Sequence, residues 1–263
     1  MSRVKLLFME YKDFLSSRSR SHLFTIPFLL TLFFTAMTNK QDNPKISKDF
    51  LTGKFNPKTH PDFIEIELPY ANRKGMFMHK KAYECFKKMH IHAKNDGINL
   101  QIISAARNFE RQKQIWENKW NGITLVNGKN LKTAVSDPVK RALIIMSYSS
   151  MPGTSRHHWG TDIDINSLSP GYFTTDRGKK EHKWLEQNAK LYGFCQPYKN
   201  NGRETGYKEE PWHWSYIPLA EKFLEIYKDS VANKDIKGFE GCETAVKIDV
   251  VKNYVLGINS ECY

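Results

Sequence analysis

The run Ser155–Ile165, SRHHWGTDIDI, leads two adjacent histidines through a tryptophan and a glycine into two aspartates spaced two apart. Core formation does not call for that mixture, but metal binding does. A catalytic zinc site takes three ligands from His and Asp or Glu and leaves one position open. His157 and Asp164 lie seven residues apart across a turn at Gly160, close enough for a loop-to-strand step to converge on one ion. The third ligand must come from elsewhere, and His213, in EPWHW, is the best candidate. Glu210, three residues before it, offers a carboxylate able to take a proton from activated water. Taken singly, a histidine is more often a surface or satisfied core residue, and an aspartate a cap or ion-pair partner. The set carries the reading, because all four residues fall at strand ends or in loops.

The elements that must hold these residues are legible from periodicity. A helix is expected from His79, with Ala82, Phe86, Met89 and Ala93 at intervals of three and four, stopping at Gly97. INLQIIS then alternates, with Ile98, Leu100 and Ile102 on one face, and reads as a strand ending at Ser104. In NFERQKQIWENKW, Asn108 can cap a helix whose stripe is Phe109, Gln112 and Trp116, with a polar residue where an apolar one belongs. Asp137 and Pro138 open another helix. TDIDI sets Thr161, Ile163 and Ile165 against Asp162 and Asp164, and PWHWSYI sets Trp212, Trp214 and Tyr216 against His213 and Ser215. Helices are also expected up to Gly193, over Leu219–Lys228, and within CETAVKIDVVKNYVLG. Strands and helices mix without regular βαβ alternation, which predicts an α+β fold: a small, mostly antiparallel sheet with flanking helices, carrying a zinc site.

Lysine and arginine number 40 against 28 acids, a net charge of +12 that admits nucleic acid, anionic lipid or cell-wall polymer as surroundings. No motif supports nucleic-acid binding, and none is expected. Leu23–Met37 is a stretch of fifteen uncharged, mostly apolar residues behind Arg18 and Arg20. A membrane span wants ~20 such residues and a signal-peptide core about 15. Residues 1–40 are therefore expected to be a signal peptide or membrane anchor that engages the membrane or export machinery. A linker and irregular lead (41–70), the main domain (71–228) and a C-terminal helical extension (229–263) follow. The four cysteines form no CxxC pair; outside the cytosol a disulfide is permitted, and Cys242 with Cys262 is the expected staple.

Three motifs add a family resemblance. SRHHWGTDID resembles the S-x-H-x-x-G-x-A-x-D signature of VanY-type D-alanyl-D-alanine carboxypeptidases, zinc peptidases acting on peptidoglycan stem peptides. EPWHW resembles their E-x-W-H signature, and SAARNFERQ, Ser104–Gln112, their S-x-x-R segment with its following glutamine. The motifs occur in the family's order, over roughly residues 70–228. The resemblance implies zinc on His157, Asp164 and His213, with Glu210 as general base. It implies Arg107 as the residue that holds substrate and stabilises developing negative charge, a task suited to a permanently charged fork of donors. Ser104, Gln112 and Ser155 would be supporting polar groups in the substrate site. The implied protein is a hydrolase of the cell envelope whose partner is a peptidoglycan stem peptide. An endopeptidase with the same metal set, or a wall-binding module with a structural zinc, are the alternatives; Glu210 and Arg107 argue against the second. One departure stands out: the family's alanine two residues before the ligand aspartate is Asp162 here. It is open to three roles: partner of a ligand, substrate contact, or ligand in place of Asp164, whose glycine-to-aspartate spacing fits better. His158 reads as a supporting residue, and Glu209 as a poorer base than Glu210.

Overall fold

The computed structural model describes residues 46–263, and the apolar segment Leu23–Met37 lies outside them. Helix α1 (Lys48–Leu51) and a ribbon of β1 (Phe63–Glu65) with β2 (Phe77–His79) lead into the long α2 (Lys80–Asn95). Next come β3 (Ile102–Ser104), α3 (Phe109–Trp120), α4 (Leu131–Ala134), α5 (Pro138–Ile145) and β4 (Asp162–Ile165). The chain ends with α6 (Asp176–Asn188), β5 (Phe194–Cys195), β6 (His213–Tyr216), α7 (Ile217–Ser230) and α8 (Thr244–Ile248). The main sheet has the order β3-β4-β6-β5, with every pairing antiparallel. The fold is α+β, a small antiparallel sheet with flanking helices. Among the described residues no helix is long and apolar enough to cross a membrane.

Local sequence explains most element ends. The His79 ring accepts from the Lys81 N–H at the start of α2, and Asn108 and Asp137 cap α3 and α5 in the same way. The strand expected over 98–104 pairs in the main sheet only from Ile102. The Leu100 carbonyl is taken by the His90 ring and the Gln101 N–H by Asn166, so that backbone is satisfied outside the ladder. The helix expected near the C-terminus is two pieces, because Asp249 adopts a left-handed conformation (φ 51°) between α8 and a π-helical turn at Val251–Val255.

A bulge decides which side chains share a face. Ile102 pairs with Ile165 but Ser104 with Asp164, so three residues of β3 oppose two of β4. Ile102 therefore stays with Ile163, Ile165 and Trp214 on the apolar face, packed with Phe86 and Met89 of α2. Ser104 turns to the other face, beside Asp164. A second core joins Trp116, Trp159, Phe223 and Tyr227. Leu51 from the lead and Ile236, Phe239, Ile248 and Val255 from the C-terminal segment belong to it too. Residues 46–70 and 229–263, expected as a linker and an extension, thus pack into the same compact unit as the domain between them.

The cysteine pairing differs from expectation. Cys195 is bonded to Cys262, with α-carbons 5.6 Å apart, while Cys242 and Cys85 are free. The last residues return to β5, where the Asn259 N–H donates to the Pro197 carbonyl (2.8 Å), and this seats Cys262 beside Cys195. Cys242 follows the loop held over α3, where the Trp116 indole donates to the Glu240 carbonyl. Closing a loop of 67 residues is worth roughly 4 kcal/mol on the chain-entropy account.

Candidate metal centre and its cavity

Strand register assembles the site. Ser104 is the cross-strand partner of Asp164, and Asp164 of His213, so the three side chains stand in a row across β3, β4 and β6. A 3-10 turn, Arg156–Trp159, brings His157 to the same row. Gly160 closes that turn with φ 68°, where an added Cβ would stand 2.4 Å from the Phe63 ring. The Arg107 N–H donates to the His157 carbonyl (3.1 Å), tying the turn to the residues after β3.

Hydrogen bonds set the histidine tautomers. His157 Nδ1 lies 2.9 Å from the Ala105 carbonyl, which can only accept, so Nδ1 carries the hydrogen and Nε2 the lone pair. That Nε2 is 3.4 Å from Asp164 Oδ1. His213 donates from Nε2 to Asp162 Oδ1 (2.9 Å), and its Nδ1 lies 3.1 Å from Glu210 Oε2 and 3.5 Å from Asp164 Oδ1. One nitrogen from each of His157 and His213 and one oxygen of Asp164 all lie within 4.8 Å of one another. His157 Nε2 and Asp164 Oδ1 are buried without a hydrogen-bond partner, which is costly for polar atoms unless a cation takes their lone pairs. Two imidazole nitrogens and a carboxylate oxygen are a donor set suited to zinc.

The charges around this centre are strongly coupled. Burial, reinforced by Arg107, lowers the pKa of His157. Burial would raise that of Asp164, but His157, His213 and Arg107 outweigh it and hold the carboxyl well below the usual range. For His213 burial again opposes charge, yet the carboxylates of Asp162 and Glu210 win and bring it to about 9. Burial dominates at Glu210 and raises its pKa.

A cavity of about 220 Å³ opens on His157, Asp164, Glu210 and His213, with Arg107 and Gln112 in its wall. Arg107 Nη1 donates to Ser104 Oγ (2.9 Å) and lies 3.5 Å from Asp164 Oδ2. Ser104 itself stands behind the arginine rather than in the wall. Gln112 is buried, donates to the Ser150 carbonyl (2.8 Å) and leaves its Oε1 without a protein partner. Ser155 is buried at the head of the turn, its hydroxyl also without a partner, and does not reach the cavity. Glu209 is exposed and points elsewhere. His158 is structural: Nδ1 donates to the Arg107 carbonyl and Nε2 accepts from the Gly153 N–H, with burial pushing its pKa down to about 3. Asp162 contributes no atom to the converging set and meets His213 from the side away from Asp164. A larger cavity, about 450 Å³, lined by Phe194, Cys195, Trp214 and Tyr263, contains none of these groups.

Several wall residues escape a reading of the sequence. Lys119 of α3 lines the cavity, its ammonium donating to the Ser149 hydroxyl. Its spacing of seven from Gln112 is the available signal, since both fall on one helix stripe. Tyr198 and Tyr207 line it as well, and the Tyr198 ring lies 4.8 Å from that of His213; no local pattern marks either. Trp212, expected to share a face with Trp214 and Tyr216, precedes the first residue of β6 and faces the cavity near Tyr148.

The VanY family model, described as D-alanyl-D-alanine carboxypeptidase, matches residues 75–219. The Bacillus subtilis (strain 168) protein YodJ is 30% identical over 186 residues, 68% of this chain and 60% of YodJ. A D-alanyl-D-alanine carboxypeptidase of Enterococcus faecalis (strain ATCC 700802 / V583) is 29% identical over 136 residues, 51% of this chain and 46% of that protein. The chain thus spans between about half and three-fifths of the length of these relatives. The solved structure of VanYB in complex with D-alanine-D-alanine aligns with a TM-score of 0.47 at 24% identity, covering 67% of this chain and 88% of that one. Matched by the family model over more than half its length, and in the segment that carries the converging histidines and aspartate, the chain belongs to the VanY family of D-alanyl-D-alanine carboxypeptidases.

Proposed function

We propose that this chain is a zinc-dependent D-alanyl-D-alanine carboxypeptidase that hydrolyses the terminal peptide bond of peptidoglycan stem peptides. The observation that carries the reading is the meeting of three buried ligand atoms, from His157, Asp164 and His213, in a cavity that also holds Glu210 and Arg107. His157, Asp164 and His213 hold the zinc, which when bound supplies Lewis-acid chemistry, polarising a peptide carbonyl and acidifying water.

Glu210 is the general base. Its carboxylate takes a proton from the attacking water as the new C–O bond forms, and returns it to the amine as the C–N bond breaks. Burial raises its affinity for the proton, which moves it from an ordinary carboxylate towards a base suited to neutral pH. Arg107 presents its charge to the cavity while Ser104 holds one of its nitrogens. From there it grips the substrate's terminal carboxylate and stabilises the negative charge that grows on the attacked carbonyl. Gln112 supplies a wall amide. Ser155 supports the turn that carries His157 and acts without touching substrate.

The Cys195–Cys262 bond favours an oxidising compartment, which suits an enzyme of peptidoglycan working outside the cytoplasm. Residues 1–40 are proposed to direct export or to anchor the chain.

The test is mass spectrometry of purified stem peptides incubated with the protein, with and without a chelator. Loss of one terminal alanine, abolished by the chelator and restored by zinc, is expected. An internal cut would replace this reading with the endopeptidase one, and no cut at all would leave a wall-binding module.

A further inference from the structure

Asp162 stands where the resemblance places an alanine, and it is fully buried. Burying a carboxylate is costly unless it is paired and hydrogen-bonded, and every acceptor direction of this one is used. Oδ1 accepts from Arg156 Nε (3.0 Å) and His213 Nε2 (2.9 Å); Oδ2 accepts from the hydroxyls of Thr161 (2.7 Å) and Ser215 (2.9 Å). Arg156 is as deeply buried. It gives a second bond to Ser215 Oγ (2.7 Å), and its guanidinium lies 4.8 Å over the Trp159 ring. The carboxylate is therefore clamped by Thr161 just before β4, by His213 and Ser215 on β6 and by Arg156 on the turn that carries His157, and it is not free to follow a moving imidazole.

The two histidines are held by different devices. His157 is oriented by a backbone carbonyl, that of Ala105. His213 has no carbonyl at its Nε2; its partner there is Asp162. A hydrogen on Nε2 leaves Nδ1 to face Asp164 and Glu210. An alanine at this position would leave Nε2 without that acceptor and the ring free to rotate or exchange tautomers.

We propose that the Arg156–Asp162 pair is a positioning unit for His213, fixing the ring so that Nδ1 is presented to the metal. The inference rests on the reading of His213 as a zinc ligand, and it excludes Asp162 both as a ligand and as a substrate contact. Partners of this kind are worth about 10–100-fold in metal affinity.

The experiment measures zinc affinity by competition with a chromogenic chelator and, on the zinc-loaded protein, reads the His213 ring nitrogens by NMR. Wild type should carry the hydrogen on Nε2 and bind zinc through Nδ1. Asp162→Ala should weaken zinc about 10–100-fold and blur the His213 signature. Asp162→Asn should lose much less, because the amide oxygen can still accept from Nε2. Arg156→Met/Asp162→Ala removes both charges, which buried pairs tolerate better than removal of one; it stays folded and remains weak for zinc, and it carries the test should the single variant not fold. Zinc affinity and ring signature unchanged in the alanine variants would overturn the inference and leave the zinc site standing. A wild-type protein that binds no zinc would instead sink the reading of the site, and this inference with it.

Discussion

On one face of the main sheet Ile163, Ile165 and Trp214 meet Phe86 and Met89 of α2; on the other, Asp162, Asp164, His213 and Ser215 meet Arg156, His157 and Arg107. Both faces are buried, and successive residues of β4 and β6 alternate between them. Burial of each large apolar side chain stabilises the fold by about 1.5–3 kcal/mol. Buried ionic groups contribute little net stability, because desolvation offsets their attraction. The apolar face thus holds the sheet together, while the polar face uses that rigidity to keep charges close. Substitutions on the two faces should therefore fail in different ways: in stability on one, in metal binding and turnover on the other.

The sharpest break is Glu210→Gln. The amide keeps the shape but cannot accept a proton, so kcat should fall about 10²–10⁴-fold with zinc content and melting temperature close to wild type. Glu209→Gln, on an exposed neighbour, is the control and should change neither; equal losses in both would refute the role of Glu210.

Next in size, Ile163→Ala should cost about 2–5 kcal/mol of stability in denaturant titration, since Ile163 is fully buried. Zinc affinity measured where the variant is still folded should be retained. A loss of zinc without a loss of stability would mean that the faces are not separable.

A smaller effect concerns pH in the metal-free protein. The His213 pKa is raised to about 9 from its ordinary value of 6.5, so its contribution to stability is fully present below pH 6.5 and disappears as pH rises through about 9. Asp164, whose carboxyl is depressed, gives the opposite limb: its contribution is present above about pH 4 and is lost as pH falls towards its folded value. Melting temperatures of metal-free protein should fall at both ends. With zinc bound, the alkaline limb should flatten, because the cation replaces the proton on His213. An alkaline limb that persists unchanged with zinc would argue against His213 as ligand.

The finest distinction is kinetic. Arg107→Lys keeps the charge and loses the fork, so it should raise KM severalfold and lower kcat less, if the grip on the terminal carboxylate dominates. A fall in kcat alone would assign Arg107 to the transition state. Wild-type cleavage of an amidated peptide as fast as of the free one would show that the carboxylate is not read.

Much of the molecule is legible in its sequence. The α2 stripe Ala82, Phe86, Met89 and Ala93 is buried as its spacing predicts, and Asn108 and Asp137 cap the helices they precede. His157, Asp164, His213, Glu210 and Arg107 stand out by residue type, spacing and motif. The α+β class follows from the order of strand and helix patterns. These features depend on chemistry within a few residues, which the chain carries wherever it goes. Only the tertiary structure decides the rest. The bulge that turns Ser104 towards Arg107 depends on β3 meeting β4, and the Cys195–Cys262 bond on the last residues docking beside β5. Lys119, Tyr198 and Tyr207 share a wall because elements distant in sequence pack together. Asp162, open to three roles in the sequence, meets Arg156, Ser215 and one nitrogen of His213 only once β4 and β6 are in register. Short-range periodicity is set by backbone dihedrals and local burial, whereas a partner some fifty residues away is chosen by which closed loops let both cores fill.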